Sequence, residues 1–326
     1  MSTIREFLDH HFLHFNSRQV VEAVRAWEAH IEAGGTMLVS LAGAMSTARI
    51  GRILGRMIDE GWVHAISCTG ANLEEDLFNL LAADEYEIID DWRALRAEDE
   101  VALYERGMNR VTDTCIPETV MRHLEERLLE RWRLAAASGS GKLPAEHLFD
   151  VLDDPTLPAH FQIPPSDSWM IAAKRKGIPV FTPGWEDSTT GNMFAAAVFR
   201  GALPDHSAVV SGTAQMVRLM EWYLTNHRVD QGSPGIGFFQ IGGGIAGDFA
   251  ICAVPTMIQD LHREDVPFWS YFCQISDAVT SYGGYSGAVP NEKITWGKLD
   301  AHTPKFMIQS DATIVAPLIF GYLLGD

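Results

Sequence analysis

Short apolar runs rich in strand-forming residues recur along the chain and alternate with longer stretches that have the apolar spacing of amphipathic helices. A short, continuous apolar run is typical of a strand that is buried on both faces, as in parallel sheets. The alternation therefore predicts a doubly wound α/β fold, in which a mostly parallel sheet carries helices on both faces. The predicted strands cover residues 36–41, 63–68, 178–182, 207–211, 235–241, 269–275 and 305–310.

Capping residues predict where two of the helices begin. Ser17 predicts the start of a helix that ends at the glycine pair 34–35, because serine accepts hydrogen bonds at helix starts and glycine often ends helices. Ser46 likewise predicts the start of a helix over residues 47–60.

Residues 85–165 depart from the alternation. They carry long charged helical patterns, such as residues 117–137, and no pattern typical of a strand. We interpret them as a helical insertion within one domain that covers residues 36–326, preceded by a helical segment at residues 1–35.

Composition narrows the class of protein. A hydrophobic content of 47% can supply a sizeable core. No apolar run approaches the roughly 18 residues of a membrane helix, and residues 1–6 lack the order of a signal peptide. The four cysteines form no C-x-x-C pair. We expect a soluble cytoplasmic protein with no membrane partner and no metal.

The formal net charge is −18, from 25 basic and 43 acidic residues. This charge repels nucleic-acid phosphates, so we expect no nucleic-acid partner. It would also concentrate cationic small molecules, although solubility alone explains an acidic surface. The charge is compatible with a polyamine substrate without indicating one.

Residues 242–247 read G-G-G-I-A-G and follow the predicted strand at 235–241. They fit the pattern G-x-G-x-x-G of Rossmann-like folds, in which glycines let the backbone approach a diphosphate. The same glycines suit a tight turn from strand to helix, and Asp248 would repel a phosphate. Both interpretations stay open.

Two earlier predicted strands also end in loops of small residues, at 42–46 and 69–76. Ligands of doubly wound sheets collect at the carboxyl ends of strands, so a dinucleotide would lie there. Glu74, Glu75 and Asp76 occupy a helix first turn, where the macrodipole favours carboxylates without any function. The functional interpretation assigns one of them to a ribose hydroxyl or an ammonium group.

Two further polar groups allow structural interpretations. Asp187 and Asn192 follow the predicted strand at 178–182 and can cap a helix, contact a cofactor, or both. His10 and His14 have i, i+4 spacing but no cysteine partner and no H-E-x-x-H motif, so we assign them to an exposed amphipathic helix.

Glycine, aromatic and ionisable residues alternate closely over residues 281–300. This composition is typical of a functional loop on a rigid scaffold. Trp296 can offer its ring face to an ammonium group, and Lys298 can attack a carbonyl or an imine if desolvation lowers its pKa. A surface pair of lysine and tryptophan is the alternative.

Five motifs together resemble the deoxyhypusine synthase family. They are T-G-A-N-L-E-E-D from Thr69, I-P-V-F-T-P from Ile178, G-G-G from Gly242, N-E-K-I-T-W-G-K from Asn291 and S-D-A from Ser310. Their order and approximate spacing also match, from about residue 36 to the end of the sequence. The W-G-K element with its upstream glutamate is the most specific of them.

The resemblance implies a homotetramer of doubly wound subunits with NAD near the subunit interfaces. It implies that NAD oxidises spermidine, that the resulting imine loses 1,3-diaminopropane, and that the 4-aminobutyl group passes to an enzyme lysine. The group then passes to an acceptor amine and is reduced.

The same resemblance implies roles for individual residues. Lys298 would be the nucleophile, Trp296 would line the polyamine site and Glu292 would face an ammonium group. Further substrate contacts would fall on Glu74, Glu75, Asn192, Asp248, Tyr282 and Tyr285. Cofactor contacts would fall on Gly43, Ala44, Met45, Ser46, Thr47, Thr69, Gly70, Ala71, Glu75, Asp187, Gly243, Asp277, Ala278, Asp311 and Ala312.

The chain departs from the family where the substrate would be held. Tyr282 and Tyr285 stand where the family commonly has aspartates, and Asn192 replaces another aspartate. Asp248 replaces a histidine, and Cys252 replaces an asparagine. These departures bear on which amine is used.

Three hypotheses follow. The first is an NAD-dependent aminobutyl-type transferase with an altered donor or acceptor, including a free amine such as putrescine, as in homospermidine synthesis. The second is a deoxyhypusine synthase that modifies a protein lysine. The third is a catalytically silent, NAD-binding relative with a regulatory or structural role.

Overall fold

The computed structural model describes residues 3–280 and 283–326. Its helices are α1 Ile4–His11, α2 Phe15–Glu32, α3 Gly51–Asp59, α4 Gly70–Ala82, α5 Ala97–Glu105, α6 Glu118–Ser138, α7 Pro144–Leu152, α8 Trp169–Lys176, α9 Thr189–Phe199, α10 Gly212–Asn226, α11 Ile245–Ile251, α12 Ala253–Pro255, α13 Glu292–Thr295 and α14 Ala312–Leu324. Its strands are β1 Thr36–Leu41, β2 Ala65–Cys68, β3 Glu87–Ile88, β4 Met108–Val111, β5 Thr114–Pro117, β6 Val180–Phe181, β7 Ile236–Ile241, β8 Tyr271–Ile275 and β9 Lys305–Ile308.

Six strands form one sheet in the order β6-β2-β1-β7-β8-β9, and every neighbouring pair is parallel. The chain starts at the centre with β1, moves outward through β2 to β6, and returns to place β7 on the other side of β1. The direction of winding therefore reverses between β1 and β7. This topology confirms the predicted doubly wound α/β fold, and such a reversal is where ligands of these folds bind.

Both faces of the sheet are covered, which explains the continuous apolar runs of the central strands. Phe238 and Phe239 are adjacent in β7 and both fully buried, yet they belong to separate apolar clusters on opposite faces. The ring of Phe239 lies 4.7 Å from that of Trp27 in α2, and the ring of Phe238 lies 4.9 Å from that of Trp269. Burial on both sides removes the polar alternation of a half-exposed strand.

Six of the seven predicted strands are present, with ends that differ by at most two residues. The predicted strand at 207–211 is wrong. There the chain makes only an isolated bridge between Val209 and Lys142. Ser211 is the N-cap residue of α10 and accepts the backbone N–H of Ala214 at 3.2 Å. The last residue of the predicted strand therefore begins a helix instead.

Both predicted helix starts require correction. Helix α2 begins at Phe15, and Ser17 lies in its first turn, where its hydroxyl donates to the carbonyl of His14 at 2.7 Å. Helix α3 begins only at Gly51. The Ser46 hydroxyl instead donates to the carbonyl of Asn72 at 2.7 Å, because α4 lies close enough to bind it.

The absence of strands expected within residues 85–165 is also wrong. Strands β3, β5 and β4 form a small antiparallel sheet in that order. β3 has two residues, both exposed, and β4 is only partly buried, so neither has an apolar periodicity to detect. The long helix expected at 117–137 is present as α6. The division of the chain into domains stays a prediction.

No helix within residues 3–280 and 283–326 is long and apolar enough to span a membrane.

A half-buried histidine, His64, should make stability depend on pH. The backbone N–H of Met37 donates to His64 Nδ1 at 3.1 Å, and burial lowers the pKa of His64 to about 4. In the unfolded chain the pKa of a histidine is about 6.5. As the pH falls from about 6.5 to about 4, His64 therefore binds a proton in the unfolded chain but not in the folded chain. The contribution of His64 to the free energy of unfolding should therefore fall across this window.

We expect His64→Gln to reduce that loss by about 1–3 kcal/mol, because glutamine can still accept a hydrogen bond but takes up no proton. Urea unfolding at pH 7.5 and pH 5 measures the loss. His262→Gln, at an exposed position, is the matched control and should keep the wild-type dependence. An unchanged loss in His64→Gln would contradict the assignment.

Candidate active site at the carboxyl edge of the sheet

The loops that follow β1 and β7 meet where the strand order reverses. Gly43 follows β1 with φ +60°, and Gly244 follows β7 with φ +73°. A Cβ atom placed on either glycine would meet no other atom within 4 Å, and both residues are exposed. The backbone at this edge is therefore open to a ligand.

Asn72 holds the loop after β1 in place. Its side-chain Nδ2 lies 3.2 Å from the carbonyl oxygens of Leu41 and Ala42 and donates to that of Gly43 at 2.9 Å. Its Oδ1 accepts the backbone N–H of Ser46 at 2.9 Å. The sequence analysis missed this residue, although a buried asparagine within T-G-A-N-L-E-E-D was a usable signal.

Thr69 and Gly70 join the start of α4 to its neighbours. The Thr69 hydroxyl donates to the carbonyl of Gly43 at 2.7 Å, so the structure brings these two predicted cofactor residues together. A Cβ atom on Gly70 would lie 2.4 Å from that of Ser188. Gly70 thus permits the close approach of the segment that carries Asp187.

Glu74 links α4 to the start of α9. Its carboxylate is buried and accepts the backbone N–H groups of Thr189 and Thr190 at 2.9 and 2.7 Å. Burial raises the pKa of Glu74, while those hydrogen bonds oppose the rise. The structure therefore gives Glu74 a scaffold role, and its contact with substrate stays a prediction.

Glu75 and Asp76 are buried next to it. The Thr47 hydroxyl donates to Glu75, and burial raises the pKa of Glu75 to about 7. Asp76 accepts the Ser168 hydroxyl and the backbone N–H of Met170, and burial likewise raises its pKa to about 7. Thr47 and Glu75, both predicted cofactor contacts, therefore lie together, whereas Asp76 anchors α8.

The turn over Gly242–Gly244 is packed on one side and open on the other. A Cβ atom on Gly243 would lie 2.2 Å from the Ser286 hydroxyl oxygen, so this glycine makes room for protein. The carbonyl of Gly242 accepts the side-chain amide of Gln274 at 2.9 Å. The turn interpretation explains Gly242 and Gly243, and Gly244 leaves space for a ligand.

The segment after Tyr282 is held beside this turn by Gln274 and Asp248. Gln274 also donates to the carbonyl of Ser286 at 2.8 Å. The Tyr285 hydroxyl donates to Asp248 Oδ2 at 2.7 Å, which raises the pKa of Tyr285 to about 12. Two predicted substrate residues, Tyr285 and Asp248, are thus in contact. Tyr282 itself lies outside the described residues.

Lys298 follows α13 and is half-buried. Its Nζ lies 6.0 Å from the ring centroid of Trp296, at the outer limit of a cation–π contact, and the Trp296 ring is 66% exposed. Its backbone carbonyl accepts the N–H of Trp269 at 3.2 Å, which fixes the segment to the sheet. Glu292 begins α13 and is exposed.

Lys293 is the site residue that the sequence analysis missed. It lies in α13 between Glu292 and Lys298, and its Nζ lies 4.9 Å from the ring centroid of the buried Phe272. Burial lowers the pKa of Lys293, and the charge of Lys298 lowers it further. A lysine inside the N-E-K-I-T-W-G-K motif was the only sequence signal.

The remaining predicted residues also follow the carboxyl ends of strands of the main sheet. Asp187 is exposed, and the Asn192 side chain donates to the carbonyl of Ser188 at 2.5 Å. Asp311 accepts the backbone N–H of Thr313 at 2.7 Å and so caps α14. Of the other predicted cofactor residues, Met45 is buried and Asp277 is exposed. The four alanines are half-buried: Ala44, Ala71, Ala278 and Ala312.

The Asn72 contacts predict a large effect of one substitution. We expect Asn72→Ala to lower the free energy of unfolding by about 2–4 kcal/mol, because it removes a buried amide that donates to the Ala42 carbonyl and accepts the N–H of Ser46. Chemical denaturation measures the change. Asn109→Ala, at an exposed position, should cost less than about 0.5 kcal/mol, and equal costs at both sites would contradict this role.

The packing of Ser286 on Gly243 predicts a second-site rescue. Gly243→Ala should detach the loop around Ser286, and hydrogen exchange of residues 283–291 should then accelerate, because the added Cβ displaces the serine. Ser286→Gly in the same chain should restore slow exchange. Gly212→Ala, which meets no atom within 4 Å, is the control. Failure of the rescue would refute the contact.

The chain is similar to known proteins over nearly its whole length. The model of a family described as deoxyhypusine synthase matches residues 9–323. "Probable deoxyhypusine synthase 2" of Methanosarcina mazei is 26% identical over 94% of this chain and 81% of its own length. A "Deoxyhypusine synthase-like protein" of a Nostoc species is 28% identical over 99% of this chain and 82% of its own length.

Structural similarity agrees with the sequence comparison. A crystal structure assigned as a deoxyhypusine synthase from Entamoeba histolytica superposes with a TM-score of 0.57 at 13% identity. The match covers 97% of this chain and 91% of the other, and it shows a shared fold. Because the family model spans nearly the whole sequence, the chain belongs to the deoxyhypusine synthase family.

Proposed function

We propose that this protein is an NAD-dependent transferase that moves an aminobutyl-type group from a polyamine, through an imine on Lys298, to an acceptor amine. Family membership supports the transferase class. One structural observation supports the rest. The segment that leads to Lys298 is held beside the glycine turn, because Gln274 binds the carbonyls of both Ser286 and Gly242 and Tyr285 donates to Asp248.

The residues at this edge fit a dinucleotide. Gly43 and Gly244 leave open space next to the backbone, and Thr69 holds Gly43 in position. Asp187 and Asp277 are exposed carboxylates that could accept ribose hydroxyls. NAD, when bound, would take a hydride from the carbon next to the donor nitrogen and return it to the product.

The protein's own groups would carry the transfer. The neutral amine of Lys298 adds to the carbon of the oxidised donor, and the C–N bond to the departing amine breaks as that amine takes a proton. The acceptor amine then replaces Lys298 on the same carbon by the reverse sequence. Trp296 would shield the reacting carbon from water, and Glu292 would attract an ammonium group of the amine.

The donor should differ from spermidine or be held differently. The Asp248 carboxylate already accepts a hydrogen bond from the Tyr285 hydroxyl. It would therefore bind an ammonium group less strongly than a free carboxylate would. Tyrosine faces attract ammonium groups by only about 0.5–2 kcal/mol. A small acceptor such as putrescine is the leading candidate, with a protein lysine as the second.

A homotetramer in the cytoplasm completes the proposal. Five large apolar side chains are more than half exposed along this edge: Ile245, Val279, Val289, Trp296 and Ile314. A second subunit that covered them would remove apolar surface from water and close the site.

Mass spectrometry of a trapped intermediate tests the chemistry. Incubation with NAD and spermidine, followed by borohydride, should add an aminobutyl increment to the Lys298 peptide. Lys298→Ala should remove the increment and leave the NAD dissociation constant within about twofold, because Lys298 is assigned to the amine and not to NAD. Lys176→Ala, at an exposed lysine of α8, should label normally.

Two outcomes would contradict the proposal. Full turnover by Lys298→Ala would eliminate the covalent lysine. No adduct from spermidine or from a panel of other amines, with NAD still bound, would favour a silent NAD-binding relative instead.

A further inference from the structure

Lys293 places a second ammonium group beside Lys298. Its side chain lies against the face of Phe272, which is fully buried in β8. Its backbone carbonyl accepts the N–H of Lys298 at 3.0 Å, so the two lysines are held in one short turn. The position of Lys293 is thus fixed by the same segment that carries the proposed nucleophile.

Neither ammonium group has a direct counter-charge. Burial and the charge of Lys298 lower the pKa of Lys293, whereas Asp248, Cys252 and Glu292 act in the opposite direction without outweighing them. Within residues 3–280 and 283–326, no carboxylate comes within ion-pair distance of either lysine, and Asp248 is bound to Tyr285.

Other lysines of the same chain show the contrast. Lys142 and Lys174 each contact an aspartate at 2.5 Å, although both lie outside the candidate site. In a chain with a net charge of −18, carboxylates outnumber the basic groups that could pair with them. The missing partner of Lys293 is therefore a local feature of this site.

A half-buried ammonium without a counter-ion is costly, because burial removes water and the apolar surroundings replace little of its hydration. The lowered pKa of Lys293 is the direct consequence of burial and of the neighbouring charge of Lys298. An anionic group of a ligand would offset both the burial of this ammonium group and its repulsion by Lys298. The site is thus prepared for a negative charge next to the amine that reacts.

We propose that Lys293 binds a carboxylate of the acceptor, so that the amine to which Lys298 passes its group is an amino acid with a side-chain amine and not a plain diamine. This inference rests on the proposed function and names its substrate class. A doubly charged phosphate fits less well, because Asp248 and Glu292 lie on the same site and would repel it. Those carboxylates, with Trp296, suit the ammonium end of the same molecule.

A matched pair of probes tests the inference by equilibrium binding to the full chain with NAD present. Ornithine and putrescine have the same two amines and differ only in the carboxylate. We expect the wild type to bind ornithine about 10-fold to 100-fold more tightly, as for a hydrogen bond between charged groups. Lys293→Gln should bring the two affinities within about threefold.

Two controls define the role of the charge. Lys293→Arg should keep most of the preference, because it retains a cation. Lys176→Gln removes an exposed lysine elsewhere and should keep all of it. If Lys293→Gln does not fold, Lys293→Met provides the uncharged variant, since its apolar chain can still pack on Phe272.

The results separate this inference from the proposed function. Equal binding of the two probes by the wild type, or an ornithine preference that survives Lys293→Gln, would overturn it even if spermidine labels Lys298. A preference lost in Lys293→Gln supports it even if no amine labels Lys298, in which case only the transfer chemistry fails.

Discussion

The arrangement of the site depends on one buried side-chain amide. Asn72 donates to carbonyl oxygens at the end of β1 and accepts from the loop beyond it, so it joins that loop to α4. The Ala42 carbonyl and the Ser46 N–H lie beyond the last residue of β1, where the sheet no longer supplies a partner, and Asn72 satisfies both. Thr69 then binds Gly43, and Glu75 binds Thr47, on the frame that Asn72 supplies.

The second half of the site is built onto this frame from the other side of the strand reversal. Gln274, in β8, reaches both the glycine turn and Ser286, and Tyr285 reaches Asp248. The glycines serve this packing as much as any ligand: Gly243 admits Ser286, while Gly43 and Gly244 stay open. Gly243 is therefore needed for packing, whereas Gly43 and Gly244 leave space for a ligand.

Charge is distributed unevenly around the site. Three consecutive carboxyl groups, at 74–76, are buried among hydrogen-bond donors from α9, from the loop after β1 and around the start of α8. Lys293 and Lys298 have no comparable partners among the described residues. The acids are thus used mainly to join elements, whereas the two cations remain available to a ligand. This asymmetry supports the view that the second region is where an anionic group of a ligand is recognised.

The sequence by itself determined the elements with strong periodicity and the motifs with close spacing. The central strands, the long helix α6, the glycine turn after β7 and the family membership all follow from contiguous residues, because burial on both faces and tight turns leave local patterns. The short strands β3 to β5 leave no such pattern. Ser17 and Ser46 were assigned as caps because capping chemistry is local, yet a hydroxyl binds whichever carbonyl the tertiary structure brings near. Only the tertiary structure decided that Asn72 organises the loops and that Glu74 accepts the first backbone N–H groups of α9. It also decided that Lys293 lies beside Lys298 without an ion-pair partner among the described residues. Those roles depend on distances between segments remote in sequence or on burial, and no spacing along the chain encodes either.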